Sequence, residues 1–213
     1  VTNVRPGDRV AMTFGSCGHC RLCHEGAPAY CEHGHHLQFG GARDDGSTTL
    51  RDARGAAVHG SFFQQSSFAT HALGTARSVV KLPDDVPLEL AGPLGCGIQT
   101  GAGAVLNTLD VPAGSSIAIF GVGTVGLAAV MAAKIAGCST IIAVDIDTER
   151  LALAAELGAT QIIDGRDEDV AARIHAEVPG GVMYSFETAG QVGTFTAAID
   201  CLARRGSCAL ATV

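Results

Sequence analysis

The feature that most constrains the fold is a glycine pattern placed between two apolar segments. Gly121, Gly123 and Gly126 form a G-x-G-x-x-G motif, which follows a strand-like run at 116–120 and opens a helix-like run at 124–136. In that setting the first glycine makes a tight turn, the second lets the backbone approach a pyrophosphate, and the third lets the helix pack closely on the strand. The motif, with the intervening Val122, Thr124 and Val125, predicts a dinucleotide site; a purely structural glycine turn is the alternative.

Strand-like and helix-like segments alternate through the second half of the chain. The predicted strands are 116–120, 140–144, 161–163, 183–186 and 207–211, and the predicted helices are 124–136, 148–157, 167–177 and 192–202. This order predicts an α/β fold with a doubly wound parallel sheet. Short strands predicted at 10–14, 67–73 and 78–82, with a polar loop over 40–60, indicate a β-rich first part. We place the domain boundary at 108/109, within a linking segment of residues 95–109.

An acidic residue, Asp145, ends the second strand of this series, about 20 residues after Gly126. A carboxylate there accepts hydrogen bonds from the adenosine ribose, and its charge repels the 2′-phosphate of NADP. NAD is therefore the predicted cofactor. Arg150, one turn into the next helix, weakens this preference if it faces the ribose; an ordinary solvated helix residue is the alternative.

Four of the eight cysteines lie close together, at Cys17, Cys20, Cys23 and Cys31. Thiolates at this spacing suit one tetrahedral Zn²⁺, and four sulfurs leave no open position, which is typical of a structural zinc site. An iron–sulfur cluster and redox-active or free thiols are the alternatives. The lobe, about residues 15–36, also holds five histidines, which we interpret as solvated: His19, His24, His33, His35 and His36.

Composition and charge argue against several classes of partner. The chain carries 14 Lys+Arg against 21 Asp+Glu, a net charge of −7, whereas nucleic-acid binding needs an excess of basic residues. The uncharged stretch between Asp110 and Lys134 has the length of a membrane span, but its glycines and Pro112 favour a strand, a turn and a buried helix. The sequence shows no basic and apolar leader, so we expect a cytoplasmic protein without a membrane partner.

Together these motifs resemble those of the zinc-dependent medium-chain alcohol dehydrogenases. The four-cysteine lobe is similar to that family's structural zinc lobe, and residues 121–126 with Asp145 are similar to its NAD site. Residues 95–101, Gly-Cys-Gly-Ile-Gln-Thr-Gly, look like the segment that carries one cysteine ligand of the catalytic zinc. The stretches 58–71 and 92–100 look closest to the aryl (benzyl) alcohol dehydrogenases.

The resemblance implies a partial GroES-like domain (1–108) and a partial Rossmann domain (109–213), with the active site in the cleft between them. It implies hydride transfer between a primary, aryl alcohol and NAD, giving the aldehyde, with a catalytic Zn²⁺ as Lewis acid. Cys96 would be one ligand of that zinc and Thr100 would touch the cofactor. The other ligands would lie upstream of Val1, so an internal fragment, inactive alone, is expected. The implied partners are a small alcohol or aldehyde and, in the intact enzyme, further copies in a dimer or tetramer.

Other interpretations remain open. A polyol or formaldehyde-type zinc dehydrogenase, or a non-catalytic zinc-bearing module that binds nucleotide, also fits the motifs. Without the resemblance, Cys96 is interpreted as a small buried hydrophobic residue, and Thr100 as a helix residue bonded to its own backbone. Phe62 and Phe63 are interpreted as core residues or as the lining of an aryl pocket. We expect the remaining cysteines to lie in the core or to be partly buried: Cys138, Cys201 and Cys208. Thr212 stands where the family usually has glycine, which is a local departure from the family pattern on the nicotinamide side of the site.

Overall fold

The computed structural model describes residues 2–65, 69–167 and 169–211. The chain divides into two compact units, Val1–Cys96 and Gly97–Val213. The segment that follows Cys96 packs on the helices of the second unit and is counted with it. The domain boundary at 108/109 stays a prediction. Thr212 lies outside the described residues.

Short elements and turns make up most of the first unit. Its strands are β1 (Val10–Met12), β2 (Leu50–Arg51), β3 (Ala57–Val58) and β4 (Val79–Lys81), and its α-helices are α1 (Arg21–His24) and α2 (Gly34–Phe39). Single 3₁₀ turns lie at Pro28–Tyr30, Phe62–Gln64, Leu88–Leu90 and Gly92–Gly95. β1 pairs antiparallel with β4, and β2 pairs antiparallel with β3. The strands predicted at 10–14 and 78–82 are thus confirmed in shorter form.

Three predictions for this unit are wrong. Residues 69–73 form no strand and pair with none of the described strands, while the start of the predicted segment, 67–68, lies outside the described residues. The loop predicted over 40–60 contains the β2–β3 hairpin, whose turn is closed by Asp52: its Oδ1 accepts N–H bonds from Arg54 and Ala56 at 2.8 and 2.9 Å. Phe62 is 59% exposed and is therefore not a core residue.

Five parallel strands form the centre of the second unit: β5 (Ser116–Phe120), β6 (Thr140–Asp145), β7 (Gln161–Asp164), β8 (Val182–Glu187) and β9 (Leu202–Leu210). Its helices are α3 (Gly97–Gly103), which continues as a π-turn (Ala104–Thr108), α4 (Thr124–Ala136), α5 (Thr148–Leu157), α6 (Val170–Glu177) and α7 (Val192–Asp200). The strand order is β7-β6-β5-β8-β9. The doubly wound parallel sheet is confirmed. The segment that links the two predicted domains is largely helical, in agreement with the interpretation of Thr100 as a helix residue.

The buried residues of β5 alternate between two apolar layers. Ile117 and Ile119 face the layer built with α4 and α5, whereas Ala118 and Phe120 face the layer built with α6 and α7. Successive side chains of a strand point to opposite faces, so a strand covered on both sides is apolar at every position. This explains the unbroken apolar run that precedes the glycine motif. Within the described parts of the chain, no helix combines the length and apolar character that a membrane crossing requires.

Candidate functional site

A cavity of about 670 Å³ opens where β5, β6 and β8 end. The chain leaves β5 toward β6 on one side and reaches β8 on the other, so the strand order reverses between β5 and β8. Ligands of open α/β sheets bind at such a switch point, outside the carboxyl ends of the strands. The lining includes most of the glycine motif and residues that follow the three strands: Gly121, Gly123, Thr124, Val125, Val144, Asp145, Ile146, Arg150, Gly165, Thr188, Ala189, Gln191 and Thr194.

The three motif glycines have three different surroundings. Gly121 has φ +82°, a left-handed conformation that other residues adopt only with strain. A side chain at Gly126 would collide with the backbone carbonyl oxygen of Gly121, so α4 approaches the end of β5 as closely as backbone allows. At Gly123, by contrast, a Cβ would have no atom within 4 Å. Gly123 is also the N-cap of α4, so the open space lies where helix N–H groups favour an anion.

Asp145 is buried at the end of β6 and is already bound to backbone. Its exposure is 8%. One carboxylate oxygen accepts the N–H of Val122 at 2.7 Å, and the other accepts the N–H of Asp147 at 3.0 Å. A carboxylate has about four acceptor positions, so each oxygen retains capacity for a ribose hydroxyl. Asp145 can therefore hold the glycine loop and a ligand at once.

Arg150 lines the same cavity but is tied to its own helix. Its Nε lies 3.7 Å from a carboxylate oxygen of Asp147. Asp147 caps α5 by accepting the N–H groups of Glu149 and Arg150. The guanidinium thus has an ion-pair partner at the start of its own helix, while Asp145 lines the same cavity.

One buried carboxylate of this site was not anticipated from the sequence. Glu187, the last residue of β8, is 1% exposed. Its Oε1 accepts the N–H groups of Ala189 and Gly190 at 2.8 and 2.9 Å and the hydroxyl of Thr194 at 2.8 Å. Thr188 donates to the carbonyl of Gly121 at 2.7 Å. Glu187 therefore shapes the loop that faces the glycine motif. The sequence feature that could have identified it is an acidic residue at the end of the strand on the other side of the switch point.

Thr100 lies on α3, outside the lining of this cavity. Two glycines let α3 approach α4 closely: a side chain at Gly97 would contact Thr124, and one at Gly101 would collide with the carbonyl oxygen of Val125. Thr100 is exposed and directly precedes this contact. Its role toward a cofactor stays a prediction.

Cys96 is exposed at the end of the first unit, so its interpretation as a buried hydrophobic residue is wrong. A side chain at the preceding Gly95 would collide with the carbonyl oxygen of Met12, and Thr13 donates its hydroxyl to the Gly95 carbonyl at 3.1 Å. The segment is therefore fixed against the end of β1. Across the described ranges, no group of three His, Cys, Asp or Glu ligand atoms includes Cys96. Cys201 is buried, and Cys138 and Cys208 are partly buried, as expected.

The four cysteines of the lobe converge on one point. The sulfurs of Cys17, Cys20, Cys23 and Cys31 all lie within 4.8 Å of one another, and those of Cys17 and Cys23 are 4.0 Å apart. Zn–S bonds of ~2.3 Å in a tetrahedron place sulfurs ~3.8 Å apart, so the residues present fit a four-thiolate zinc. None of the four forms a disulfide.

Two thiols of the cage have pKa values shifted in opposite directions. Backbone hydrogen bonds from Glu32 and then Cys23 lower the pKa of the Cys20 thiol to about 6. Burial, and next to it the Cys20 sulfur, raise the pKa of Cys23 to about 11. The lowered pKa of Cys20 and the raised pKa of Cys23 have opposite directions, so negative charge on one sulfur opposes negative charge on its neighbour, and a bound cation would relieve this opposition.

A distant arginine fixes the entrance of the lobe. The Arg77 guanidinium donates to the carbonyl of Ser16 at 3.1 and 3.2 Å and to that of Cys17 at 2.8 Å. The five histidines of the lobe are all exposed, as expected. Two of them, His19 and His33, nevertheless lie with Cys17 in a second group whose ligand atoms are within 4.8 Å of one another.

Comparison with known proteins gives a consistent result. Residues 1–84 match the alcohol dehydrogenase GroES-like domain, and residues 124–212 match the zinc-binding dehydrogenase domain. A geraniol dehydrogenase of Castellaniella defragrans is 47% identical over 203 residues, which cover 94% of this chain and 54% of that protein. A probable alcohol dehydrogenase of a Pseudomonas species is 44% identical, over 100% of this chain and 68% of that protein.

A solved structure agrees in fold. The crystal structure of benzyl alcohol dehydrogenase from Acinetobacter calcoaceticus is 44% identical and superposes with a TM-score of 0.92, over 100% of this chain and 57% of that one. The chain thus spans little more than half the length of the geraniol and benzyl alcohol dehydrogenases. By its matched domains, its five-stranded parallel sheet and its relatives, the chain belongs to the zinc-dependent medium-chain alcohol dehydrogenase family.

Proposed function

We propose that this chain is part of an oxidoreductase that transfers hydride between a primary alcohol and NAD, giving the aldehyde. The observation that carries the proposal is the cavity at the β5/β8 switch point, with an anion-binding helix N-terminus and a buried carboxylate on one wall. The chain's own residues bind and orient the dinucleotide there. NAD, when bound, supplies the hydride acceptor, and a catalytic Zn²⁺ supplies a Lewis acid for the alcohol oxygen.

Separate observations support the proposed positions of the pyrophosphate and of the adenosine ribose of NAD. Open space at Gly123, beside the free N–H groups of α4, suits the pyrophosphate, because negative charge is stabilised at a helix N-terminus. Asp145 suits the adenosine ribose. Two unit charges 4 Å apart repel by about 4 kcal/mol at an effective dielectric constant of ~20, so a 2′-phosphate beside Asp145 is strongly disfavoured. The pairing of Arg150 with Asp147 leaves little compensation.

Two zinc roles follow for the cysteines. The four-thiolate cage is the candidate structural site, since it offers no open position. Cys96, exposed and held by the close contact of Gly95 with Met12, is the candidate single ligand that this chain contributes to a catalytic zinc. The remaining ligands are not among the described residues.

The substrate class that we propose is an alcohol with an aryl or other unsaturated group next to the carbinol carbon. Relatives named for geraniol and for benzyl alcohol support it. So does an aromatic cluster formed by the exposed Phe39 and Phe62 and the half-buried Phe63, whose ring centroids lie 4.5–5.7 Å apart in edge-on contacts. Aromatic rings in this arrangement favour a further ring edge or face.

The cofactor assignment is tested with Asp145→Asn, which keeps a side-chain oxygen acceptor and removes the charge. We expect the wild-type protein to bind NAD at least ~100-fold more tightly than NADP, and the variant to reduce that ratio at least tenfold, because the repulsion of about 4 kcal/mol is relieved. Calorimetric titration of both dinucleotides measures it. Asp147→Asn is the matched control, with a smaller effect on the ratio; an unchanged ratio in Asp145→Asn refutes the assignment.

The substrate class is tested with Phe62→Ala in the product of the complete reading frame. If the aromatic cluster contacts the aryl group, kcat/KM falls by roughly tenfold for benzyl alcohol, consistent with ~1–3 kcal/mol for a lost apolar contact. It stays nearly constant for a short aliphatic alcohol. Tyr30→Ala, which removes another exposed aromatic side chain of the first unit, is the control. Equal losses for both alcohols contradict the aryl role of Phe62.

A further inference from the structure

We propose that His19 and His33, together with Cys17, form an auxiliary metal site that captures incoming Zn²⁺ and passes it to the four-cysteine cage. The proposal rests on the structural zinc role of that cage. One ligand atom from each of the three side chains lies within 4.8 Å of the others. Two imidazoles and a thiolate are ligands that Zn²⁺ binds well, at ~2.0–2.1 Å for nitrogen and ~2.3 Å for sulfur.

Burial divides the four cage cysteines into two pairs. Cys20 and Cys31 are 7% and 8% exposed, whereas Cys17 and Cys23 are only partly buried. Solvent therefore reaches the cage mainly at the second pair. Cys17 belongs both to the cage and to the histidine group, so it is the one sulfur through which a metal can pass from one set of ligands to the other.

The two histidines are exposed and held next to each other. Their ring centroids are 5.6 Å apart, with an interplanar angle of 29°. Nδ1 of His19 lies 3.0 Å from the Cys17 carbonyl oxygen. A carbonyl only accepts, so Nδ1 carries the proton and Nε2 keeps the lone pair, which is how metal-binding histidines are commonly fixed.

The sulfur that the two sites share accepts backbone hydrogen bonds. The backbone N–H groups of His19 and Cys20 donate to the Cys17 sulfur at 3.4 and 3.3 Å. A metal ion captured there is thus held by one accessible thiolate and two neutral imidazoles. Such a set binds Zn²⁺ less tightly than four thiolates do, so transfer into the cage is downhill.

The transfer is a ligand exchange without change of oxidation state. The bonds from zinc to His19, to His33 and to the water that completes its four-coordinate shell break as Zn–S bonds to Cys20, Cys23 and Cys31 form, while the Zn–S bond to Cys17 is kept. Each entering thiol that is still protonated gives its proton to solvent. The released imidazoles then return to solvent, since both side chains are exposed.

Rapid mixing of the reduced, metal-free chain with Co²⁺ tests the proposal, since thiolate-to-cobalt absorption reports the number of sulfurs bound. For the wild type we expect an early species with weak thiolate absorption, followed by the strong absorption of the filled cage. In His19→Asn/His33→Asn the early species is lost and filling slows roughly tenfold, at the lower end of what loss of supporting metal-site groups costs. The end-point absorption and the zinc content stay unchanged.

The matched control is His35→Asn/His36→Asn, which removes two exposed histidines of the same lobe that are outside the Cys17 group. It fills at the wild-type rate. A wild-type rate in His19→Asn/His33→Asn with normal end-point absorption overturns the capture site and leaves the structural zinc intact; equal slowing in both pairs also overturns it. If the wild type itself never develops four-thiolate absorption, the structural zinc assignment fails, and the capture site with it.

Discussion

Replacing single glycines of the motif separates packing from cofactor binding. In Gly126→Ala the added methyl group meets the backbone carbonyl oxygen of Gly121. Overpacking of this kind costs about 1–3 kcal/mol, and we expect at least about 2 because a carbonyl within a tight turn cannot rotate away. For a chain of this size, that lowers Tm by roughly 4–8 °C.

For Gly123→Ala we expect the opposite result, in which stability is kept and NAD binding is weakened. Its methyl group meets no protein atom within 4 Å, and its backbone angles, φ −71° and ψ −163°, suit alanine. Alanine at an N-cap lowers the free energy of unfolding by about 0.5–1 kcal/mol relative to glycine. Alanine also reduces the conformational entropy of the unfolded chain, which raises the free energy of unfolding by about 0.4–1 kcal/mol. The free energy of unfolding therefore changes by less than ~0.5 kcal/mol. In the NAD site that we propose, the methyl group would instead occupy the space of the pyrophosphate.

Calorimetric NAD titration and thermal unfolding, run on the same zinc-loaded samples, check both variants. Gly123→Ala is expected to weaken NAD binding tenfold or more, since 1.4 kcal/mol is one factor of ten, with Tm unchanged. Gly126→Ala is expected to lower Tm. Wild-type NAD affinity in Gly123→Ala would refute the placement of the phosphates, and wild-type stability in Gly126→Ala would refute the packing argument.

Two further predictions concern metal and pH. Chelation of zinc from the reduced protein is expected to make the lobe open more often while its fold is kept, because its buried apolar cluster consists of two cage cysteines and Leu37. Faster tryptic cleavage after Arg21 with unchanged NAD affinity measures this, and equal cleavage rates contradict it. The Arg166 side chain, then the Arg166 backbone N–H, lower the pKa of Asp164 from 3.8 to about 2, so the pair stabilises the fold above pH ~3.8 and this contribution disappears as the pH falls toward 2. Carboxyl NMR titration in Arg166→Gln is expected to return the Asp164 midpoint toward 3.8, and an unchanged midpoint contradicts the assigned cause.

Helices with a regular apolar face could be predicted from the sequence, whereas a helix whose composition is set by close packing could not be bounded. The helices Thr124–Ala136 and Thr148–Leu157 have the predicted bounds, because an apolar face and a glycine C-cap define them locally. The helix Gly97–Gly103 lies in the linking segment, where the sequence indicates a helix around Thr100 but not its bounds, since each glycine lowers helix propensity by about 1 kcal/mol. Those glycines are present because α4 leaves no space for side chains at Gly97 and Gly101.

Glu187 escaped the sequence prediction for a different reason. Its partners are the N–H groups of the two residues after Thr188 and the hydroxyl of Thr194, all local in sequence. The loop after β8 faces the glycine motif only because β8 lies next to β5 in the sheet. That neighbourhood is a property of the strand order, which the local sequence does not show. An acidic residue at a strand end becomes a candidate once the switch point is known.

Asp145 shows how one side chain can be identified correctly while half of its role is missed. The spacing from Gly126 points to the ribose, but the carboxylate also accepts the N–H of Val122 in the glycine loop. Removing the side chain with Asp145→Gly would therefore loosen that loop and change cofactor preference together, leaving two causes for one loss of affinity. Asp145→Asn removes the charge and keeps one side-chain oxygen, which can still accept the N–H of Val122 while the bond from the N–H of Asp147 is lost. A shift in the NAD/NADP ratio at a Tm close to that of the wild type therefore assigns the preference to electrostatics.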